Sequence, residues 1–364
     1  MKPFHRATAL LLAVGMIAAV GCRSDHPSSD AGSPDEDAGS TGGGSGGGVG
    51  GGAGGGGGST VDSGFVRELA SDSEHSFTAL THDDTRAFVG RTGADGGGEI
   101  AVIDLSGGAL TPFHDPQASA VIGMLYVGGD LFYVTSFPNE LRRLPLDGGA
   151  EVVLNTYNRA YPHMVSSGDS VFLLGVGSNT VNVDRVFRTA DAGSGFAATS
   201  TQTNGLTTIA GFGVSATQEV YGLVGDSNVY VAPTTGNFVP VTAIASDAGA
   251  LTGLALSGTS AFVARTFGPP PQVGRIQRVP IDGADASTIA ELTLGTRYVL
   301  TDGQHLFWAE YDGTERIYRA DLDGANKTPI GTLTTTTDLY DQTPTELLLI
   351  TRESSGAKLF AVEK

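Results

Sequence analysis

The sequence predicts an all-β fold, a seven-bladed β-propeller of four-stranded antiparallel blades, and three observations lead there. Units of about 40–47 residues recur from Gly64 to Lys364, a period typical of radial repeat folds. Each unit holds a strongly apolar run in second place, followed by a run that ends in a Gly-rich turn. In the best-preserved stretch, Leu306–Ile330 (LFWAEYDGTERIYRADLDGANKTPI), Phe307, Ala309, Ile317, Tyr318, Ala320 and Leu322 suit half-buried strands. Asp312-Gly313 and Asp323-Gly324 fall where those strands must reverse, and Asp-Gly accepts the positive φ of tight hairpins.

The chain starts with a leader. Lys2 and Arg6 give it a positive end, and Ala7–Val20 is an apolar run too short to span a bilayer comfortably. It closes on Ala19-Val20-Gly21-Cys22, which resembles the lipobox of bacterial lipoproteins, with Ala19 in place of the more usual Leu. That resemblance implies residues 1–21 as a signal peptide and Cys22 as a lipidated new N-terminus. Cys22 is the single cysteine, so no intrachain disulfide is possible, and acylation accounts for the thiol. Several acyl chains anchor stably where one is marginal.

Residues 22–63 follow as a Ser-, Asp- and Gly-rich tether containing GGGSGGGVGGGAGGGGGS. It has almost no apolar side chains to repay the entropy of ordering. A Gly-rich coil of this length spans roughly 35 Å root-mean-square. Such stalks behind a lipobox look like those of myxobacterial surface lipoproteins. The expected location is the cell envelope, at the outer membrane or surface of a Gram-negative bacterium.

Residues 64–364 form the propeller domain. Its second strands are AFVGRTG from Ala87, LFYVTSF from Leu131, SVFLLGV from Ser170, EVYGLVG from Glu219, SAFVART from Ser260, HLFWAEY from His305 and ELLLITR from Glu346. Third strands follow each, and their turn residues keep register: Ser106 to Asp147 and Asp282 to Asp323 are both 41 residues apart. The last unit stops at Lys364 after its third strand, while Phe65–Ala70 is a spare outer strand ahead of the first unit. The N-terminal strand therefore closes the seventh blade, removing exposed sheet edges.

FWAE followed by RIYRADLDGAN in the Leu306–Ile330 unit is similar to the YWTD repeats of lipoprotein-receptor propellers, and the Arg-x-x-(Leu/Ile)-Asp-Gly tail returns in the units at Leu131 and Ser260. Those propellers have six blades where seven are counted here. The resemblance implies a protein-binding module rather than an enzyme. No Gly-His or Trp-Asp pair marks a WD40 repeat.

Charge excludes one class of partner. The net charge is −18; the leader's Lys2 and Arg6 and the tether's one Arg against six acids leave −15 on the propeller. Such a surface repels phosphate backbones, so nucleic acid is not expected. Within residues 64–364 no zinc spacing, EF-hand run or G-x-S-x-G elbow occurs, so neither a catalytic residue, a metal nor a cofactor is expected. Asp83, Asp302 and Asp341 are the candidates for a lactonase-like ion, and His82-Asp83-Asp84 for a metal on the first blade. All of them suit ordinary turns between first and second strands.

The partner-binding candidates lie in two long connections, Asn155–Met164 with Tyr157, Arg159, Tyr161 and His163, and Arg265–Arg275 with Phe267 and Pro269–Pro271. Phe137, Arg297, Tyr298 and Tyr311 occupy equivalent connections of other blades. Tyr and Arg dominate binding hot spots; the competing reading is that these aromatics wedge between blades. The expectation is a monomeric, membrane-anchored binding or scaffold module for an envelope protein or glycan. Alternatives are a propeller hydrolase or lyase acting on a sugar or lactone, and a structural envelope protein without a ligand site.

Overall fold

The computed structural model describes residues 66–364, apart from 118–119, 159, 177–179, 189–196, 203–207, 235–241, 247–248, 269–272 and 354–355. The leader, Cys22, the tether, Phe65, Arg159 and Pro269–Pro271 lie outside the described residues.

The described chain is a ring of seven four-stranded antiparallel sheets. It opens with β1 (Val66–Asp72). Blade one is β2 (Ser76–His82), β3 (Arg86–Thr92), β4 (Gly98–Asp104) and β5 (Thr111–His114); blade two is β6 (Ala120–Val127), β7 (Asp130–Ser136), β8 (Asn139–Pro145) and β9 (Val152–Tyr157). Blade three comprises β10 (His163–Ser167), β11 (Ser170–Val176), β12 (Thr180–Phe187) and β13 (Ala197–Gln202), and blade four β14 (Ile209–Val214), β15 (Gln218–Leu223), β16 (Asn228–Pro233) and β17 (Thr242–Ser246). Blade five holds β18 (Ala250–Ser257), β19 (Ser260–Phe267), β20 (Val273–Pro280) and β21 (Ser287–Leu292). Blade six holds β22 (Thr296–Thr301), β23 (His305–Tyr311), β24 (Glu315–Asp321) and β25 (Thr328–Leu333). Blade seven is β26 (Thr337–Gln342), β27 (Glu346–Glu353) and β28 (Gly356–Glu363), completed by β1.

Closure follows from that last pairing. β1 lies antiparallel to β28, from Val66 opposite Val362 to Asp72 opposite Ala357. Leu69 and Ala70 join Phe77, Val89 and Ile103 of blade one and Leu348, Ile350 and Leu359 of blade seven in one apolar cluster. Arg67 pairs with Glu346 at 2.9 Å at the start of the same blade. The spare strand is thus a structural part of the ring, with both chain ends in one sheet.

The second strands are the most buried in each blade, because both their faces meet neighbouring blades: Phe88, Phe132, Phe262, Phe307 and Leu348 are at most 2 % exposed. Fourth strands carry a recurring β-bulge. The pairing register slips past Leu69, Phe113, Leu154, Ile244, Ile289 and Ile330 in blades seven, one, two, four, five and six. A bulge re-aims a side chain, and Leu69, Leu154 and Ile330 are buried in seams between blades.

The Asp-Gly pairs behave as turns. Gly148, Gly283 and Gly324 have φ of 94°, 87° and 86°. Asp147, Asp282 and Asp323 each accept a backbone N–H two residues on, at 2.9–3.1 Å. Each of these carboxylates thus holds its own turn.

Candidate binding face

Antiparallel winding sorts the connections onto two faces. Turns between first and second and between third and fourth strands lie on one, termed the turn face. Connections between second and third strands, and from each fourth strand to the next blade, lie on the other, termed the loop face. Tyr157, Tyr161, His163, Phe267, Arg297, Tyr298 and Tyr311 all belong to loop-face connections or the strand ends beside them.

They divide by burial. Tyr161 is 4 % and Tyr298 1 % exposed, so neither offers surface to a partner. The Tyr157 and Tyr161 rings stand 4.4 Å apart and pack on the seam between blades two and three. Burial there pushes the Tyr157 phenol well above its usual range. His163 belongs to the same region, and burial lowers its imidazole to about 4. Tyr298 packs against Tyr340, ring centres 4.9 Å apart and planes tilted by 33°, between blades six and seven and donates to Glu315 Oε1 at 3.3 Å. Glu315 is fully buried and takes the Thr337 backbone N–H at 2.8 Å; burial raises its carboxyl. These aromatics pack in the seams between blades.

Others are presented outward. Tyr311 is 39 % exposed, and the Arg297 guanidinium lies 5.4 Å from its ring centre. Arg275 lies over Phe267 at 4.8 Å, and Phe267 backs onto Gly249. Phe137 is 61 % exposed, more than any other large apolar residue described. Its φ of 46° is a left-handed conformation, in a turn fixed by Thr135 Oγ1 donating to the Pro138 carbonyl at 2.7 Å.

Two hollows open on this face. One, of about 410 Å³, is lined by Asp95–Gly98, Asp115, Gln117 and Phe137 at the junction of blades one and two. The other, about 250 Å³, lies where blades seven and one meet, lined by Ser73–Ser76, Arg352, Gly356 and Ala357. The first hollow joins three connections distant in sequence. Asp95 and Asp115 read as turn formers, and nothing local in the sequence marks them as neighbours.

On the turn face, the candidate ion ligands have other partners. Asp83 accepts from the Thr85 and Arg86 backbones and from the Arg86 guanidinium, at 2.6–2.9 Å. Asp302 caps Gln304 and His305, at 2.9 and 2.7 Å. Asp341 meets His82 Nδ1 at 2.9 Å across the junction of blades seven and one. Burial disfavours the His82 cation, but Asp341, Asp83 and Asp84 outweigh it and raise its pKa. Among the described residues no group of three His, Cys, Asp or Glu is placed to hold a metal ion.

No family model and no curated protein matches the sequence. Solved structures share the fold. A structure of YCF48 bound to D1 peptide superposes with a TM-score of 0.59 at 10 % identity, covering 82 % of this chain and 97 % of that one. The WD40 β-propeller domain of Doa1 gives 0.57 at 13 %, covering 82 % and 97 %. An oligogalacturonate lyase in complex with manganese gives 0.56 at 12 %, covering 83 % and 98 %. The chain is a β-propeller. Identities this low carry the fold and no activity.

Proposed function

We propose that this propeller is an exported, lipid-anchored, non-catalytic binding module whose loop face takes a protein or peptide partner. One observation carries the reading: of the seven large apolar side chains exposed among the described residues, Phe137, Val224, Val273 and Tyr311 stand on the loop face. They are spread over blades two, four, five and six, as separate apolar side chains left to water around one face. The peptide-bound propeller among the similar structures supports such use of the fold.

Topology adds a second support. β1 runs from the turn face toward the loop face, so the chain enters the propeller at Val66 on the turn face. Whatever precedes Val66 is therefore joined at the turn face, and the loop-face connections do not carry that attachment. The test has two parts. Cys22→Ser should move the full chain from the membrane fraction to the soluble one. In-envelope cross-linking should capture a partner with the wild-type chain and lose it with Phe137→Asp, Val273→Asp and Tyr311→Asp combined. Capture unchanged by that triple variant would remove the loop face from consideration, and retention of Cys22→Ser in the membrane would remove the anchor.

A further inference from the structure

We infer that the hollow between blades one and two is the seat of a basic side chain, lysine or arginine, from an extended partner segment. This rests on the binding-module reading above and names the place and the chemistry. Phe137 forms one wall, its ring held out from the core by the turn at Thr135–Pro138. An exposed aromatic face takes the alkyl stem of Lys or Arg and attracts its cation.

The rest of the lining carries two acids. Asp95 and Asp115 are both exposed and both line the hollow. Each uses Oδ1 on a backbone N–H, of Gly97 at 3.0 Å and Gln117 at 2.7 Å, which fixes the carboxylates in place. One guanidinium beside the lining is already paired. Arg142 donates to the Pro116 carbonyl behind the hollow, but its guanidinium is committed to Glu140 and Glu151, at 2.6 and 3.2 Å. With Glu140 and Glu151 on Arg142 and His114 on Glu151 at 3.1 Å, that cluster is paired within itself, and the chain as a whole is acidic at −18. Gly96 brings no side chain to the lining, and nothing lies within 4 Å of where a Cβ on it would stand. A peptide can therefore approach the main chain closely, whereas a polyanion such as a uronate chain meets repulsion.

The test uses the full chain and three fluorescein-labelled probes of equal length: hexa-arginine, hexa-glutamate and an uncharged Gly-Ser hexapeptide. Binding is read by fluorescence polarisation at about 20 and 300 mM salt, since exposed charge pairs weaken with screening. Asp95→Asn with Asp115→Asn removes two charges while Asn keeps the turn hydrogen bonds. Asp147→Asn with Asp282→Asn removes two charges from turn-face loops and controls for general acidity. Hexa-arginine should bind, with affinity falling about tenfold in Asp95→Asn/Asp115→Asn and likewise in Phe137→Ala. The turn-face control should stay within about twofold of wild type. Equal losses in the two double variants would overturn the proposal, because diffuse charge would explain the binding. So would binding of hexa-glutamate or the neutral probe in preference. Peptide binding lost on Tyr311→Asp but not on Phe137→Ala would overturn this site while leaving the loop-face reading intact; a partner captured in the envelope regardless of every loop-face variant would overturn both.

Discussion

Leu69→Ala tests whether the ring is closed by its first strand. Leu69 is 5 % exposed, sits at the β1 bulge, and packs in the cluster that joins blades seven and one. Truncating a buried leucine costs the lost transfer energy plus a cavity, about 2–5 kcal/mol. The unfolding entropy of roughly 2 cal/mol/K per residue, over about 300 residues, gives ~0.6 kcal/mol/K. The expected fall in Tm is therefore roughly 3–8 °C. The readout can be placed outside the perturbed cluster. Trp308 is the single tryptophan, 1 % exposed on β23 of blade six, and belongs to a different apolar cluster from Leu69. If β1 closes one cooperative ring, the Trp308 transition moves with far-ultraviolet dichroism, and by the same amount. A Trp308 transition that stays at the wild-type temperature would falsify closure as the source of cooperativity.

Three further outcomes are expected. Arg265 is wholly buried, with Nη1 donating to the Ser227 and Gly249 carbonyls, both at 2.9 Å, and Nε to Gln277 Oε1 at 2.8 Å. Arg265→Met leaves those acceptors dry and should cost about 3–5 kcal/mol by urea unfolding, with Arg265→Lys failing to restore it because the planar fork is lost. His163, lowered by burial to about 4, should make the fold less stable as pH falls from about 6.5 toward 4, because the unfolded chain takes up the proton first. At pH 4.5 that penalty reaches roughly 2–3 kcal/mol, and comparing His163→Phe with wild type at pH 7 and 4.5 should show it removed. His82 has the opposite sign: its raised pKa adds stability below about 6.5 that is lost as pH rises through the folded value, so His82→Gln should weaken the fold at pH 6 more than at pH 8.5.

What could be read from the sequence divides along physical lines. Blades were legible because a second strand buried on both faces must be apolar throughout, as in Leu306–Ala309 and Leu347–Ile350. Asp147, Asp282 and Asp323 announced the turns in between. The bulges at Leu69, Leu154 and Ile330 were not legible, since one extra residue inverts the alternation that reveals a strand. The loop face was legible as a set of connections but not as a surface. A tyrosine at a strand end reads alike whether it faces water or the next blade, and only the neighbouring Glu315 and Tyr340 show that Tyr298 turns inward. Asp95 and Asp115 were silent for the converse reason: their proximity is made by the angle between two blades.

That angle can be perturbed without touching the hollow. Gly90 on β3 faces blade two so closely that a Cβ there would stand 3.1 Å from both Ala79 Cβ and Val121 Cβ. Val121 belongs to the first strand of blade two, so Gly90→Val should push blades one and two apart near the connections that bear Asp95, Asp115 and Phe137. Overpacking of this kind costs about 1–3 kcal/mol, and a shift of even an ångström between the carboxylates and the ring weakens a bridged cation. Gly213→Ala is the matched control: its Cβ would stand 2.6 Å from Leu256 Cβ between blades four and five, remote from the hollow. With both variants folded and similarly destabilised, Gly90→Val should lose several-fold in hexa-arginine affinity and Gly213→Ala should keep it. Equal affinities would mean that the hollow does not depend on blade angle, and that the three connections hold their geometry independently of the ring.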